Sequence, residues 1–149
     1  MANVKMRWAI KESLLGYMAS IEDGVVEADA PAVRPDAGFE FSADAAEFDW
    51  DALTGTLEFG GTARLSGYNG AMKIELKEPR IDLRDGRGTL SVLQGGLFSS
   101  AAHSPVVSLE VRDADGAVVF DTKLLASGAP LFGPQYQPGQ EFSPLALSR

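Results

Sequence analysis

Residues 55–81 read Gly55-Thr-Leu-Glu-Phe-Gly-Gly-Thr-Ala-Arg-Leu-Ser-Gly-Tyr68-Asn-Gly-Ala-Met-Lys-Ile-Glu-Leu-Lys-Glu-Pro79-Arg-Ile81. Side chains alternate with a period of two on both sides of Tyr68-Asn69-Gly70. Leu57, Phe59, Ala63 and Leu65 fall on one face, with Thr56, Glu58, Thr62 and Arg64 on the other. Beyond the turn, Met72, Ile74 and Leu76 alternate with Lys73, Glu75 and Lys77, and the run passes Pro79 to Ile81 and Leu83. Such alternation belongs to half-buried strands, and Asn-Gly between two of them is a hairpin signal. Gly60-Gly61 inside the first run marks a bulge or a close backbone approach, and Pro79 marks an edge or a bulge.

The same pattern extends outward. Phe39 and Phe41 alternate with Glu40, Leu90 and Val92 point to one side, and Val107, Leu109 and Val111 interleave with Ser108, Glu110 and Arg112. Asp85-Gly-Arg-Gly88 and Asp113-Ala-Asp-Gly116 supply turns. Residues 42–50 read as a short helix or a loop, and residues 94–104 as a loop of small side chains. The closing segment from Ser127, with Pro130, Pro134, Pro138 and Pro144 among Phe132, Tyr136 and Phe142, predicts irregular chain packed across the body. Strands at this spacing with short turns and no βαβ alternation give a mainly β fold, an antiparallel β-sandwich or partly open barrel.

Trp8-Ala-Ile-Lys-Glu-Ser13-Leu-Leu-Gly-Tyr17 breaks the pattern. Ile10, Leu14, Tyr17 and Ile21 recur at helical spacing, so an N-terminal amphipathic helix is expected, widened by Trp8, Leu15 and Met18 and stopping near Asp23-Gly24. From spacing alone Tyr17 is an ordinary core residue whose hydroxyl needs a partner.

With 149 residues, 45% hydrophobic and 23% charged, the chain reads as one globular domain, 1–149. The absence of cysteine excludes disulfides and thiolate chemistry, and a single histidine, His103, excludes multi-histidine zinc sites. The net charge of −8 argues against nucleic acid and anionic membranes as partners. Residues 12–58 hold 12 acidic residues against one basic, which reads as a solvated acidic face. No apolar run reaches the roughly 18 residues of a membrane span, and the N-terminus does not read as a signal peptide. No pair of carboxylates is assignable to acid and base roles, and an enzyme is not expected.

Three segments, in order, resemble the HtaA domain, a haem-binding module of actinobacterial haem-uptake proteins. Trp8-Ala-Ile-Lys-Glu-Ser13-Leu-Leu-Gly-Tyr17 is similar to its opening Trp-x-x-Lys-x-Ser-Phe-x-x-Tyr. The strand pair 55–81 is similar to its Gly-x-Val-x-Phe segment, Gly-His-x-Gly-x-Leu turn and following Pro. Phe132-Gly-Pro-Gln-Tyr136-Gln-Pro-Gly139-Gln-Glu-Phe-Ser-Pro144 is similar to its closing Phe-x-x-x-Tyr-x-x-Gly-x-x-x-x-Pro.

The resemblance implies a haem uptake or relay domain that exchanges haem with other uptake proteins, exported or on the cell surface, with a cytoplasmic setting as the alternative. It implies ferric b-type haem held through Tyr17 as axial ligand, with Ser13 bordering the site and tail aromatics such as Phe132 covering a porphyrin face. A phenolate is a hard anionic oxygen suited to ferric iron. In the family the turn histidine supports the ligand tyrosine by hydrogen bonding; here Tyr68 stands in its place. The alternative is an interaction module that keeps the fold and has lost haem.

Overall fold

In the computed structural model the chain is described over residues 4–35, 38–44, 47–96, 99–113 and 115–149, apart from the side chains at 95–96 and 99–101. Its elements run β1 (Val4–Trp8), α1 (Glu12–Ser20), β2 (Val25–Asp29), β3 (Phe39–Ala43), β4 (Gly55–Glu58), β5 (Thr62–Gly67), β6 (Met72–Lys77), β7 (Arg80–Arg84), β8 (Arg87–Gly96), β9 (Ser99–Asp113), β10 (Val118–Leu124), α2 (Ala129–Phe132) and β11 (Glu141–Ser148). A nearly closed eight-stranded sheet has the order β3-β1-β11-β10-β9-β8-β7-β4, and a smaller one has the order β2-β5-β6. Every paired strand is antiparallel. The fold is mainly β with one substantial helix, as the alternation predicts.

The stretch 55–81 forms one long ribbon that changes sheets half-way. Its outer part pairs β4 with β7, Leu57 opposite Ile81; its inner part pairs β5 with β6, Leu65 opposite Ile74. The two chains cross together. The Phe59 amide donates to the Pro79 carbonyl at 2.8 Å, and the Glu78 amide to the Gly61 carbonyl at 2.8 Å. Gly60-Gly61 is therefore a joint between sheets rather than a bulge within one strand. Gly61 has φ +97°, and a Cβ there would lie 2.6 Å from the Ala32 nitrogen, so the expected close backbone approach is present. Pro79, which cannot donate to a ladder, sits at the matching joint. The Tyr68–Gly70 turn is displaced into the smaller sheet, next to the end of α1.

Three other expectations are corrected. Trp8 and Ile10 precede the helix: Trp8 ends β1 and Ile10 has φ +64°. Helical spacing across residues 8–21 mixes a strand end with a helix, because both bury apolar side chains into one core. Residues 94–96 and 99–104 belong to β8 and β9, not to a loop; ladder pairing needs no apolar alternation, so small side chains hide it from sequence. Residues 97–98 lie outside the described residues. The tail is partly regular, since β11 enters the large sheet between β1 and β10. The β10–β11 register shifts between Phe120 and Thr122, a bulge across which Pro144 is tolerated. Of the segment 42–50, residues 45–46 lie outside the described residues, and an isolated bridge joins Asp49 to Thr54.

Both sheets turn one face to a single core that includes Phe39, Phe41, Leu57, Leu65, Ile81, Phe120 and Leu145. Glu40 points away from Phe39 and Phe41 as expected, yet it is largely covered. Lys5 and Arg7 of the neighbouring β1 reach it at 3.3 and 2.9 Å. Burial alone would raise its pKa, but the hydrogen bonds from Arg7 and Lys5 win and hold it below the usual glutamate range.

The helix start is fixed from a distance. Lys11, the residue before α1, offers no side-chain cap. Instead Ser143 of β11 accepts the Glu12 amide on its Oγ at 3.0 Å, donates its own amide to the Ile10 carbonyl at 2.8 Å, and offers its carbonyl to Trp8 Nε1 at 2.8 Å. Lys11 Nζ donates to the Glu141 carbonyl at 2.9 Å. A serine 131 positions away thus does the work of an N-cap. Replacing it by alanine in Ser143→Ala removes that acceptor and is expected to lower stability by about 0.5–2 kcal/mol, measured by chemical denaturation. An unchanged midpoint would show that the helix start needs no such cap.

Candidate functional site

Helix α1 divides into three flanks at 3.6 residues per turn. Leu14 and Met18 are buried and hold it to the core. Ser13, Tyr17 and Ser20 lie on a second flank and are exposed, and Glu12, Leu15, Gly16 and Ala19 lie on a third.

The second flank carries the candidate site. Tyr17 does not sit in the core: its side belongs to the helix, but 47% of its surface is exposed, and Tyr68 is 51% exposed. Their hydroxyls form a short hydrogen bond with each other. The sequence places these two phenols 51 positions apart, and the fold brings them together at the end of the β5–β6 ribbon. The Tyr68 pKa is raised, first by its hydrogen bond with Tyr17, then by burial and by the charges of Tyr17 and Asp23. Tyr68 is thus held as a neutral phenol.

The turn that presents Tyr68 is unusual. Tyr68, Asn69 and Gly70 have φ of +52°, +56° and +88°, three successive left-handed residues of which the first is an aromatic. Asp23, just past the end of α1, accepts the Tyr68 amide on one carboxylate oxygen at 2.9 Å and the Asn69 amide on the other at 2.7 Å. These bonds, Asn69 first, lower the Asp23 pKa. The alternation pattern gave no sign of Asp23; an acidic residue right after a helix is usually only a solvated end. A half-polar hollow of about 590 Å³ lies beside the pair, lined by Ser20, Ile21, Glu22, Asp23, Tyr68 and Asn69.

Of the tail aromatics, Phe132 is 3% exposed and packs edge-on against Tyr136 and Phe142, at centroid distances of 5.9 and 5.0 Å. Tyr136 is the partly exposed member of that cluster. Its pKa is raised by burial and, secondarily, by the charge of Tyr17. Phe132 is thus the buried member of the cluster, with the half-exposed Tyr136 packed against it. Ser13 is exposed one turn before Tyr17, on the same flank. His103 is elsewhere: its Nε2 donates to the Glu78 carbonyl at 2.9 Å, at the joint between sheets and the opposite end of β6 from Tyr68.

A larger, apolar groove of about 740 Å³ runs along the third flank of α1, over Trp8, Leu15, Gly16, Ala19 and Phe39. It does not face the Tyr17 hydroxyl. Among the described residues no group of three or more His, Asp or Glu side chains is placed to hold a bare metal ion. No helix among them is long and apolar enough to cross a membrane.

The HtaA family model, described as Htaa, matches residues 3–148. The chain belongs to the HtaA family. The fold of this HtaA domain is shared with solved structures from Corynebacterium glutamicum. The C-terminal domain of HtaA superposes with a TM-score of 0.79 at 18% identity, covering 98% of this chain and 95% of that one. The N-terminal domain of HtaA gives 0.75 at 16%, covering 98% and 95%. HtaB, described as a heme-binding protein, gives 0.72 at 15%, covering 99% and 94%. No curated protein matches in sequence.

Proposed function

We propose that this HtaA domain binds ferric haem as part of a haem uptake or relay system, with Tyr17 as the axial ligand and Tyr68 as its hydrogen-bonding neighbour. The observation that carries this reading is the open phenol pair. Tyr17 presents its hydroxyl at the surface, and its partner there is Tyr68 rather than a backbone carbonyl or a core side chain. The donor set fits the group: a phenolate oxygen suits ferric iron, and a neutral phenol beside it supports that oxygen by donating a hydrogen bond. Ser13 on the same flank borders a polar substituent, and Tyr136, backed by Phe132, offers a flat apolar surface. Bound haem would supply a Lewis-acidic ferric centre; the chain's part is to present Tyr17, whose proton passes to solvent, and to hold its oxygen with Tyr68.

Membership of the HtaA family and the fold shared with a heme-binding protein support the reading. An exported or cell-surface setting, with haem-uptake proteins as donors and acceptors, belongs to the same proposal. The test is titration of the purified chain with ferric haem. Saturable one-to-one uptake with a tyrosinate charge-transfer band is the expected result; a colourless protein with no saturable change would overturn it.

The second reading is an interaction module of the same fold without haem. Two observations favour it: the turn histidine is absent, and the larger apolar groove lies on the other flank of α1. The titration separates the two.

A further inference from the structure

Two links join the end of α1 to the Tyr68 turn. One is the hydrogen bond between the Tyr17 and Tyr68 hydroxyls. The other is the Asp23 carboxylate on the amides of Tyr68 and Asn69. The first joins two half-exposed side chains, and a neutral hydrogen bond exposed to water adds little net stability. That is too little to hold a hairpin tip in a conformation that aromatic residues avoid. The second link is charge-assisted and uses both carboxylate oxygens. Successive amides at such a turn form a concavity for an anion, and Asp23 fills it from within the chain. Packing agrees: a Cβ on Gly67, just before the turn, would lie 3.3 Å from the Ile21 side chain and 3.9 Å from Asp23 Oδ1.

We propose that Asp23 is the positioning residue of the phenol pair: it clamps the backbone of the Tyr68 turn to the end of α1 and so sets the Tyr68 hydroxyl against Tyr17 as donor. It touches neither hydroxyl. The proposal deepens the haem-binding reading by naming what holds the ligand's neighbour in place of the family's histidine, and for haem it rests on that reading. The titratable groups around the pair are Asp23, Glu22, which lines the same hollow, and the two phenols themselves.

The test uses the ligand-free protein. The chain has three tyrosines, so tyrosine labelled with carbon-13 at Cζ gives three resonances whose positions at pH 7 report hydrogen bonding at each hydroxyl by NMR. Tyr68→Phe and Tyr17→Phe assign them. In the native chain Tyr17→Phe is expected to shift the Tyr68 resonance, because the Tyr68 hydroxyl loses its partner. In Asp23→Ala, Tyr17→Phe is expected to move the Tyr68 resonance no further: the coupling between the two phenols is lost. Asp23→Asn keeps a single acceptor oxygen and turns an NH2 donor toward the second amide, so it is expected to lose the coupling in part. Should Asp23→Ala not fold, Asp23→Ser, too short to reach both amides, takes its place.

Coupling that survives undiminished in Asp23→Ala or Asp23→Ser overturns the proposal. Because no haem enters this measurement, a chain that takes up none removes the functional reading and leaves the clamp standing. If haem is bound, Asp23→Ala is expected to release it about 10–100-fold faster, the usual effect of loosening a ligand's support.

Discussion

In Tyr17→Phe the charge-transfer band of haem-loaded protein is expected to vanish, and affinity for ferric haem to fall by more than about 100-fold. The magnitude follows from comparison with less direct changes. Losing an outer partner of a metal ligand costs about 10–100-fold in affinity, and loss of the ligand itself exceeds that. Tyr68→Phe supplies the internal comparison: it removes the donor but leaves the oxygen that meets iron, so the band persists and affinity falls by about 10–100-fold. Neither side chain is packed in the core, so both variants are expected to melt close to the native chain. This matters for interpretation, because a binding loss in Tyr17→Phe then reports the ligand and not the fold. A band that survives in Tyr17→Phe and disappears in Tyr68→Phe would exchange the two roles. A band that survives in both would remove the phenol pair from haem binding altogether.

How far these features were legible in the sequence depends on the length scale of the interaction that makes them. Alternation over 55–65 and 72–83 is written in neighbouring residues, and it located β4 to β7 and the Tyr68–Gly70 turn. What alternation does not carry is which sheet a strand joins. The same period runs through Gly60-Gly61 and Glu78-Pro79, although the ribbon changes sheets there, because inward side chains on both halves meet one core. Small side chains concealed the continuation of β8 and β9, and prolines concealed β11, whose place in the large sheet is set by Ser143 and its contacts with Trp8, Ile10 and Glu12. The candidate site divides in the same way. Tyr17 and Tyr68 were legible as residues through family resemblance, while their meeting at the hydroxyls depends on the fold. Asp23 was not legible at all: its role is a bond to main-chain amides 45 and 46 positions away, which no side-chain pattern reports.

Replacing the turn phenol by the family's residue, Tyr68→His, is expected to change the number of protons released when ferric haem binds. In the native chain Tyr17 must lose a proton to become an anionic ligand. Its partner already carries one and has no basic site for a second, so the proton passes to solvent. Binding then releases one proton more than haem's own equilibria demand, and affinity rises about tenfold per pH unit across pH 6–8. An imidazole behaves differently, with an ordinary pKa of about 6.5. Above that pH it enters the reaction neutral, takes the Tyr17 proton and keeps it beside the phenolate. The extra proton is then not released, and the pH dependence flattens. Below about pH 6 the imidazole is already protonated, the Tyr17 proton again goes to solvent, and the two proteins run parallel. Calorimetry in buffers of different ionisation heat measures the count directly, and the difference between variant and native chain cancels the titrations of free haem. A difference near one proton at pH 7.5, shrinking toward zero at pH 5.5, is the expected outcome. No difference at either pH would mean that residue 68 takes no part in the proton's path, and the hydrogen bond between the two hydroxyls would then be only a contact between neighbouring rings.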